Sequence, residues 1–313
     1  MHACLIVSCE SAAVQEITDD SIPRRDGLNE NSALILEGGS LRCQFTAGVL
    51  DVFMEKGILF PCVAGVSAGA LCGINYLSGQ IGRTAKINLE FANDKRYMGL
   101  GNLVRRHSVF NFDFLFGEVS DTLVPLDRKA FEESAQRFAA VSTDVRTGEM
   151  AVHEKGVSED ILLAARASAS LPLLAPIVEV DGKRCLDGGV AMPIPVEWAL
   201  QEGYEKIVLV LTRQKGYRKR PVRRAARMAY ERMYRDYPML LWRLNQVPVH
   251  YNELQVKINR LERAGRVFVI RPRDPVMVSR VERDTEKLKA LYEIGRESAL
   301  RRMDEMKAYL DRP

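Results

Sequence analysis

The sequence predicts an α/β fold built on a doubly wound, mostly parallel sheet, followed by a helical C-terminal extension. The apolar runs at residues 33–37 and 62–66 lack the alternation of half-exposed strands, as expected for parallel strands that are covered on both faces. A helical pattern follows each run after a few residues. Strands and helices that alternate with short connections are typical of such sheets.

The remaining elements follow from local patterns. The first helix spans about residues 44–56 and is closed by Gly57, and the second begins at Ala68. An Asp181-Gly182 turn predicts a hairpin between two short strands. The other expected elements are a strand pair at 138–143 and 150–152, helices at about 158–168 and 195–201, strands at 206–211 and 267–270, and a long helix from about residue 281.

Composition limits the class of protein. The chain has 313 residues, of which 47% are hydrophobic and 27% charged, as in ordinary globular proteins of one large domain or one domain plus an appendage. The net charge of +4 is too small to indicate nucleic-acid binding. The six cysteines form no C-x-x-C pair and no metal-binding spacing, so we expect reduced packing residues and a cytoplasmic location.

The chain divides into three regions. Residues 1–30 lack the basic start and the apolar core of a signal peptide and become polar and acidic, which indicates a poorly ordered leader. Residues 31–213 form the predicted α/β domain, and residues 214–313 a mainly helical basic extension. No stretch approaches the roughly 18 apolar residues of a membrane span.

Two segments have more than one interpretation. The aromatic run at 110–116 is interpreted as a satellite of the core, with the lining of a pocket as the alternative. Nine lysines and arginines at 215–235 are opposed only by Glu231 and Asp236, and Leu240, Leu241 and Trp242 follow. This pattern suits adsorption to an anionic membrane surface, but a solvated helix face or a lid over a site would also produce it.

A G-x-S-x-G sequence around Ser67 indicates a nucleophile. The motif lies between a predicted strand and a predicted helix, which is the context of a serine exposed on a sharp elbow. Gly65 and Gly69 fit this turn because a Cβ atom at either position would collide with neighbouring backbone. The same string also occurs in ordinary turns, so it is a hypothesis that needs partners.

A base for this serine is harder to find. Of the four histidines, His2 is in the leader, His107 and His153 precede the best acid candidate, and His250 lies in the appended helical region. A triad in the order serine, acid, histidine is therefore poorly supported. The better candidate is Asp187, which ends a predicted strand before Gly188 and Gly189, although this pattern alone also describes a turn.

The turn formed by Gly38, Gly39 and Ser40 is a candidate oxyanion site. It connects a strand to a helix, where backbone N–H groups and the helix dipole favour negative charge. An ordinary turn and a dinucleotide phosphate loop are the alternatives. The G-x-G-x-x-G spacing of the latter is broken at Ser40 and Cys43.

The ordered G-G, G-x-S-x-G and D-G-G motifs resemble those of the patatin-like phospholipase family. The blocks at 45–51 and 167–172 match as well, and the resemblance covers about residues 33–212. The basic tail looks like that of a bacterial branch with its own C-terminal extension. The resemblance implies a three-layer α/β/α sheet in a patatin-like catalytic domain, and hydrolysis of acyl esters without a metal or other cofactor.

The resemblance also implies roles for individual residues. Ser67 would attack the ester, Asp187 would take its proton, and the N–H groups of Gly38, Gly39 and Ser40 would bind the oxyanion. Arg42 keeps a basic position of the family, where it would fix the loop or meet an anionic head group; a solvated arginine without such a role is the alternative. Gly65, Gly69, Gly188 and Gly189 would support the two motifs.

The expected function is therefore a serine lipid acyl hydrolase acting on phospholipids or glycerolipids, with peripheral association at an anionic inner membrane surface and no nucleic-acid partner. A soluble esterase or thioesterase for short or CoA-linked acyl chains is one alternative. A weakly active binding protein is another, because the family loop reads G-G-G-x-[RK]-G and this chain has Ser40 and Cys43 in place of two glycines. The loop keeps its N–H donors only if Ser40 adopts a φ that serine tolerates.

Overall fold

An eight-stranded sheet runs through the computed structural model, which describes residues 31–99, 101 and 108–312. The predicted leader at 1–30 lies outside these residues, as do His2, His107, Cys4 and Cys9. The strands are β1 Ser32–Leu36, β2 Cys62–Val66, β3 Arg137–Asp144, β4 Met150–Glu154, β5 Val178–Val180, β6 Lys183–Asp187, β7 Lys206–Val210 and β8 Val267–Ile270.

The sheet is mostly parallel, as the sequence predicts. Its order is β5-β6-β3-β2-β1-β7-β8, with β4 paired to β3. Strands β3, β2, β1, β7 and β8 are parallel neighbours, whereas β4 and β6 pair with β3, and β5 with β6, in the antiparallel sense.

Helices cover both faces of the sheet and make it the middle of three layers. On β1, Leu34 and Leu36 face one core that includes the first helices of the chain, while Ala33 and Ile35 face a second core. This alternation of fully buried side chains explains the continuous apolar run in the sequence. The helices are α1 Cys43–Glu55, α2 Ala68–Leu77, α3 Arg83–Phe91, α4 Arg128–Glu133, α5 Ile161–Ser168, α6 Val196–Gln201, α7 Arg224–Met233, α8 Pro238–Arg263 and α9 Thr285–Leu310; a distorted π-helical segment covers Leu115–Leu123.

The C-terminal region, residues 214–312, is mainly helical and shares its core with the rest of the fold. Strand β8 extends the sheet beside β7, and α9 packs closely on α1. A Cβ atom on Gly48 would lie 2.1 Å from the Tyr292 carbonyl oxygen, so only glycine permits this approach of the two helices. Among the described residues, no helix has the length and apolar character needed to cross a bilayer.

One edge of β3 positions the functional site. Strand β2 pairs with this edge over Arg137–Val141, and β6 continues along it from Ser142, while β4 occupies the opposite edge. Val66 therefore lies opposite Val141, and Asp187 lies opposite the next residue, Ser142. The carboxyl ends of β2 and β6 meet head to head at this point.

Candidate active site

Ser67 occupies a strained elbow between β2 and α2. Its backbone has φ 55° and ψ −129°, a conformation that costs a non-glycine residue about 1–3 kcal/mol and that surrounding structure must hold in place. A Cβ atom on Gly65 would lie 2.5 Å from the Ala70 nitrogen, and one on Gly69 would lie 2.5 Å from the Leu36 oxygen. Both predicted glycines are thus required by close backbone approach.

Ser168, the last residue of α5, holds the elbow from behind. The Ser67 N–H donates to Ser168 Oγ at 2.8 Å, and the Ser168 hydroxyl donates to the Val141 carbonyl at 2.5 Å. Ser168 is fully buried, so both bonds are shielded from water. They connect the elbow to β3, the strand against which β6 also pairs.

Asp187 is buried at the end of β6 and is fixed by its backbone and by its carboxylate. Its N–H donates to the Ser170 carbonyl at 2.7 Å, and Oδ1 accepts the Gly189 N–H at 2.7 Å. A Cβ atom on Gly188 would lie 2.0 Å from the Val141 oxygen, so the D-G-G sequence turns directly against β3. Burial raises the pKa of Asp187, and the Ser67 hydroxyl, the Gly189 N–H and the charges of Arg280 and Lys219 oppose that rise.

The carboxyl group of Asp187 lies close to the nucleophile. The Ser67 hydroxyl is close enough to favour the ionised form of the carboxyl, yet Oδ2 has no partner among the described residues that meets hydrogen-bond geometry. Catalytic hydrogen bonds are often loose without substrate and tighten in the Michaelis complex. The structure thus brings the hydroxyl and the carboxyl together with one oxygen of Asp187 available to the serine.

The Gly38–Ser40 turn lies directly beside Ser67. A Cβ atom on Gly38 would be 2.9 Å from the Ser67 Cβ atom, which shows how closely the two segments approach. Within the part of the chain that the structure describes, the N–H groups of Gly38, Gly39 and Ser40 donate to no acceptor. Unpaired donors next to a nucleophile can stabilise a developing oxyanion.

The backbone of Ser40 adopts a conformation that is typical of glycine. It has φ 50°, in the left-handed region that glycine adopts most easily. The serine therefore keeps the backbone conformation of a glycine, at a cost of about 1 kcal/mol. Arg42 and Cys43 follow as buried residues, and Cys43 Sγ accepts a hydrogen bond from Asn88 Nδ2 at 3.4 Å.

Glu37 anchors the turn to the far side of the sheet. This buried carboxylate accepts bonds from the Thr212 N–H at 2.6 Å and from the Tyr251 hydroxyl at 2.8 Å. The Thr212 hydroxyl also donates to the Gly38 carbonyl at 3.1 Å. Residues after β7 and on α8 thereby support the candidate oxyanion site.

Two cavities of opposite character meet at Ser67. An apolar cavity of about 80 Å³ extends between α1, α2 and α3, and a polar cleft of about 670 Å³ opens toward the region after β7. Ser40, Ser67 and Leu171 line both of them. Asp187, Gly38 and Gly39 line the polar cleft.

Both interpretations of residues 110–116 apply. Phe110, Phe112 and Phe114 belong to the buried hydrophobic core, and Phe110, Phe112 and Phe116 line the apolar cavity. Phe114 instead packs edge-on against Phe91, with ring centres 5.8 Å apart. Sequence spacing does not distinguish the two roles because all four side chains lie mostly in apolar surroundings.

The described histidines lie apart from this site. His250 is half-buried and is absent from the residues that line either cavity. His153 connects the Ser142 hydroxyl, at 2.8 Å from Nε2, to the Asp181 carboxylate, at 2.6 Å from Nδ1. These three hydrogen-bonded side chains have the residue types of a catalytic triad. Ser142, however, is fully buried in the sheet and lines neither of the two cavities.

Comparison with protein families agrees with this geometry. A family model described as patatin-like phospholipase matches residues 34–200, which include Ser67, Asp187 and the Gly38–Ser40 turn. The chain belongs to the patatin-like phospholipase family. This is a family of hydrolases. A second model, a domain of unknown function (DUF6363), matches residues 237–311.

Individual relatives of the patatin-like family are 26–28% identical to this chain over the aligned regions. The uncharacterised Escherichia coli protein YjjU is 28% identical over 187 residues, which are 58% of this chain and 51% of YjjU. The uncharacterised NTE family protein Rv1063c of Mycobacterium tuberculosis is 26% identical over 52% of this chain and 44% of its own length. The patatin-like phospholipase domain-containing protein ZK370.4 of Caenorhabditis elegans is 28% identical over 52% of this chain and 12% of its own. The matched region thus spans about half of the two bacterial relatives.

Several residues around the patatin-like site escaped sequence reasoning. Ser168 lies in a block that the resemblance includes, but only its contacts show that it holds the elbow. Glu37 precedes the predicted turn, and a charged residue at a strand end carries no signal of burial. Lys219 and Arg280 line the polar cleft, but Lys219 lies in a basic run and Arg280 in a segment of mixed charge, so their sequence positions do not indicate this.

Proposed function

We propose that this protein is a serine lipid acyl hydrolase that cleaves acyl esters of phospholipids or glycerolipids through a Ser67–Asp187 dyad. The observation that carries the proposal is the shared edge of β3, on which β2 and β6 bring Ser67 and Asp187 together. The unpaired N–H groups of Gly38, Gly39 and Ser40 lie beside them. Nucleophile, base and oxyanion donors are the three parts that acyl transfer needs.

In the first half of the reaction, the Ser67 oxygen attacks the ester carbonyl while its proton passes to Asp187. The carbonyl oxygen becomes negative and accepts bonds from the Gly38–Ser40 turn. The carbon–oxygen bond to the alcohol then breaks, and Asp187 returns the proton to the leaving alcohol. In the second half, water gives its proton to Asp187, attacks the acyl-serine and releases the fatty acid, and Ser67 regains the proton.

The environment of Asp187 suits this role. An ordinary carboxylate is a weak base for a serine hydroxyl. Burial raises the pKa of Asp187, which makes its carboxylate a stronger base. The buried, unpartnered Oδ2 atom is the site where the proton would arrive.

The apolar cavity provides space for the acyl chain. Its lining includes Leu71, Ile74 and three phenylalanines and joins the polar cleft at Ser67. A water-sized group needs about 10–15 Å³, so 80 Å³ has room for roughly six such groups. This narrow space favours one short or medium chain and supports, as a second candidate, an esterase or thioesterase for such chains.

A fluorophosphonate probe tests the proposal. The probe should label the native protein at Ser67, as mapped by peptide mass spectrometry, and leave Ser67→Ala unlabelled. Ser170→Ala is a suitable control, because this buried hydroxyl donates only to the Arg166 carbonyl. Absence of labelling in the native protein would contradict the hydrolase proposal and favour a binding protein.

Substrate series separate the two candidates. Phospholipid vesicles, short-chain nitrophenyl esters and acyl-CoA are compared at equal acyl-chain length where possible. A lipid acyl hydrolase hydrolyses the vesicles faster than the soluble esters. The reverse order would favour the esterase or thioesterase.

A further inference from the structure

The polar cleft beside Ser67 carries a large excess of positive charge. Its lining contains only two carboxylates, Glu37 and Asp187. The Glu37 carboxylate accepts hydrogen bonds from Thr212 and Tyr251, and the Asp187 carboxyl lies beside the nucleophile. The cations that line the cleft are Arg42, Arg213, Lys219, Arg220, Arg223 and Arg280.

None of these six side chains forms an ion pair with a carboxylate among the described residues. Other cations of the same region do so: Arg227 pairs with Glu231 at 3.1 Å, and Lys215 with Glu262 at 3.5 Å. The cleft that contains the nucleophile thus brings together six cations without a carboxylate partner among the described residues.

Arg42 shows this most clearly because it is only 8% exposed. Its guanidinium makes no hydrogen bond to the described residues, and its buried Nε has no partner at all there. Burial and the repulsion of Arg213 and Arg280 lower the pKa of Arg42 to about 10. A buried cation without a partner is costly, and a bound anion would remove most of that cost.

Lys219 also lines the polar cleft. Its ammonium lies 4.2 Å from the ring centre of Tyr251, the residue that also bonds Glu37. The backbone of Lys219 is fixed by two hydrogen bonds with the Asn252 side chain, at 2.8 and 3.0 Å. Its charge acts on Asp187, and so does that of Arg280. The cations are thus held near the reacting groups and not only at the rim.

On the basis of the hydrolase function proposed above, we propose that this cleft binds a phosphate group on the leaving-alcohol side of the substrate ester, through Arg42, Lys219 and Arg280. The acyl chain would enter the apolar cavity, and the ester carbonyl would lie at Ser67, where the two cavities join. The alcohol portion then extends into the cationic cleft. A glycerophospholipid has its phosphate a few bonds from the ester oxygen, and guanidinium groups bind phosphate strongly in a forked geometry.

The cations come mostly from sequence outside the segment that matches the family model. Only Arg42 lies within residues 34–200, whereas Arg213, Lys219 and Arg280 follow it. The proposed phosphate subsite is therefore a property of this chain's C-terminal half. A neutral glyceride would leave this charge without a counter-ion.

Equilibrium binding to Ser67→Ala tests the subsite without turnover. The ligands are octanoyl-glycerophosphoglycerol and octanoylglycerol, which share an acyl chain and differ in the phosphate. We expect the phosphate-bearing ligand to bind at least about tenfold more tightly, as one or two charge-assisted hydrogen bonds provide. Arg280→Gln and Lys219→Gln should each remove most of this preference. Arg232→Gln is the matched control, because Arg232 is exposed on α7 and does not line the cleft.

Equal binding of the two ligands, or equal effects of Arg280→Gln and Arg232→Gln, would overturn the subsite. A kinetic comparison with Ser67 intact identifies the source of the phosphate: octanoyl-CoA is tested against octanoyl-N-acetylcysteamine, and the phospholipid against octanoylglycerol. The subsite is supported if the phosphate-bearing substrate is preferred in either pair and if Arg280→Gln reduces this preference. Hydrolysis of every ester without such a preference refutes the subsite alone, whereas phosphate-selective binding without any hydrolysis refutes the hydrolase function alone.

Discussion

The apolar cavity and the polar cleft meet at Ser67 but are built from different parts of the chain. The apolar cavity is lined entirely by residues between Ser40 and Leu171, within the segment matched by the family model. The polar cleft takes much of its wall from residues 213–280. In the proposed mechanism, the family segment supplies the dyad, the oxyanion turn and the acyl side, and the C-terminal half supplies the proposed surface for the other end of a substrate.

Because the two cavities are built from different parts of the chain, the residues that would select the alcohol portion of a substrate can differ while the proposed acyl-transfer site stays the same. The dyad depends on β2, β3 and β6, whose pairing fixes Ser67 and Asp187 within the family segment. The cations after β7 contact the site but do not build the elbow. Changes in the two regions should therefore have separable effects on turnover and on head-group selection.

Among residues that support the site without taking part in the reaction, the largest effect is expected from Ser168→Ala. This change leaves the buried Ser67 N–H without its acceptor and removes a hydrogen-bond donor from the Val141 carbonyl. We expect kcat to fall about 10- to 100-fold for neutral and anionic esters alike, because the strained elbow loses its support. The free energy of unfolding should fall by about 1–3 kcal/mol.

Ser170→Ala is the control for this prediction, since Ser170 is equally buried but does not touch the elbow. Two measurements separate the loss of activity from the loss of stability: the rate of fluorophosphonate labelling and the temperature of thermal unfolding. If Ser168→Ala loses stability and still labels at the native rate, Ser168 is structural only.

A smaller effect, confined to long acyl chains, is expected from Leu71→Trp. Leu71 is partly exposed and lines the apolar cavity, so a larger side chain narrows the cavity without entering the packed core. We expect kcat/KM for a decanoyl ester to fall about tenfold, and that for an acetyl ester to change little. Leu300→Trp, on the exposed face of α9, is the matched control. Equal losses for both esters would show that the acyl chain lies elsewhere.

The smallest effect should appear in the pH dependence of KM. Burial lowers the pKa of Lys219 to about 8, so its ammonium is charged below that pH and neutral above it. Glu37, Asp187, Arg42 and Arg280 surround it, and Arg42, with a pKa of about 10, keeps its charge. For a phosphodiester substrate, KM should rise severalfold between pH 7 and 9, whereas KM for octanoylglycerol should stay constant. Lys219→Gln should abolish the rise, and a rise that persists in this variant would assign it to another group.

Much of this site could be predicted from the sequence because its parts depend on local backbone geometry. Strand β2 and strand β8 have the predicted bounds, and α2 begins at the predicted Ala68. The elbow glycines could be predicted because a Cβ atom at Gly65 or Gly69 would lie about 2.5 Å from backbone atoms, where no other residue fits. The Gly65 contact is with Ala70, five residues further along, whereas the Gly69 contact is with Leu36 at the end of β1.

The remaining features depend on long-range pairing, which a single sequence does not show. Nothing near Asp187 indicates that β6 continues the β3 edge where β2 ends. Lys219 and Arg280 are separated by about sixty residues, yet both act on the Asp187 carboxyl. The basic stretch at 215–235 also has a mixed role: Lys219, Arg220 and Arg223 line the cleft, whereas Arg227 pairs with Glu231 on the surface.

The dyad is tested most directly by Asp187→Asn, which keeps the shape of the side chain and removes its function as a base. The account predicts that kcat/KM for a nitrophenyl ester falls about 10²- to 10⁴-fold, as for loss of a general base, while the circular dichroism spectrum and thermal unfolding stay close to native. In the native protein, activity should be lost as the pH falls through the raised pKa of Asp187, because the protonated carboxyl accepts no proton. An Asp187→Asn variant with activity within about threefold of native, and with an unchanged acid limb, would contradict the dyad.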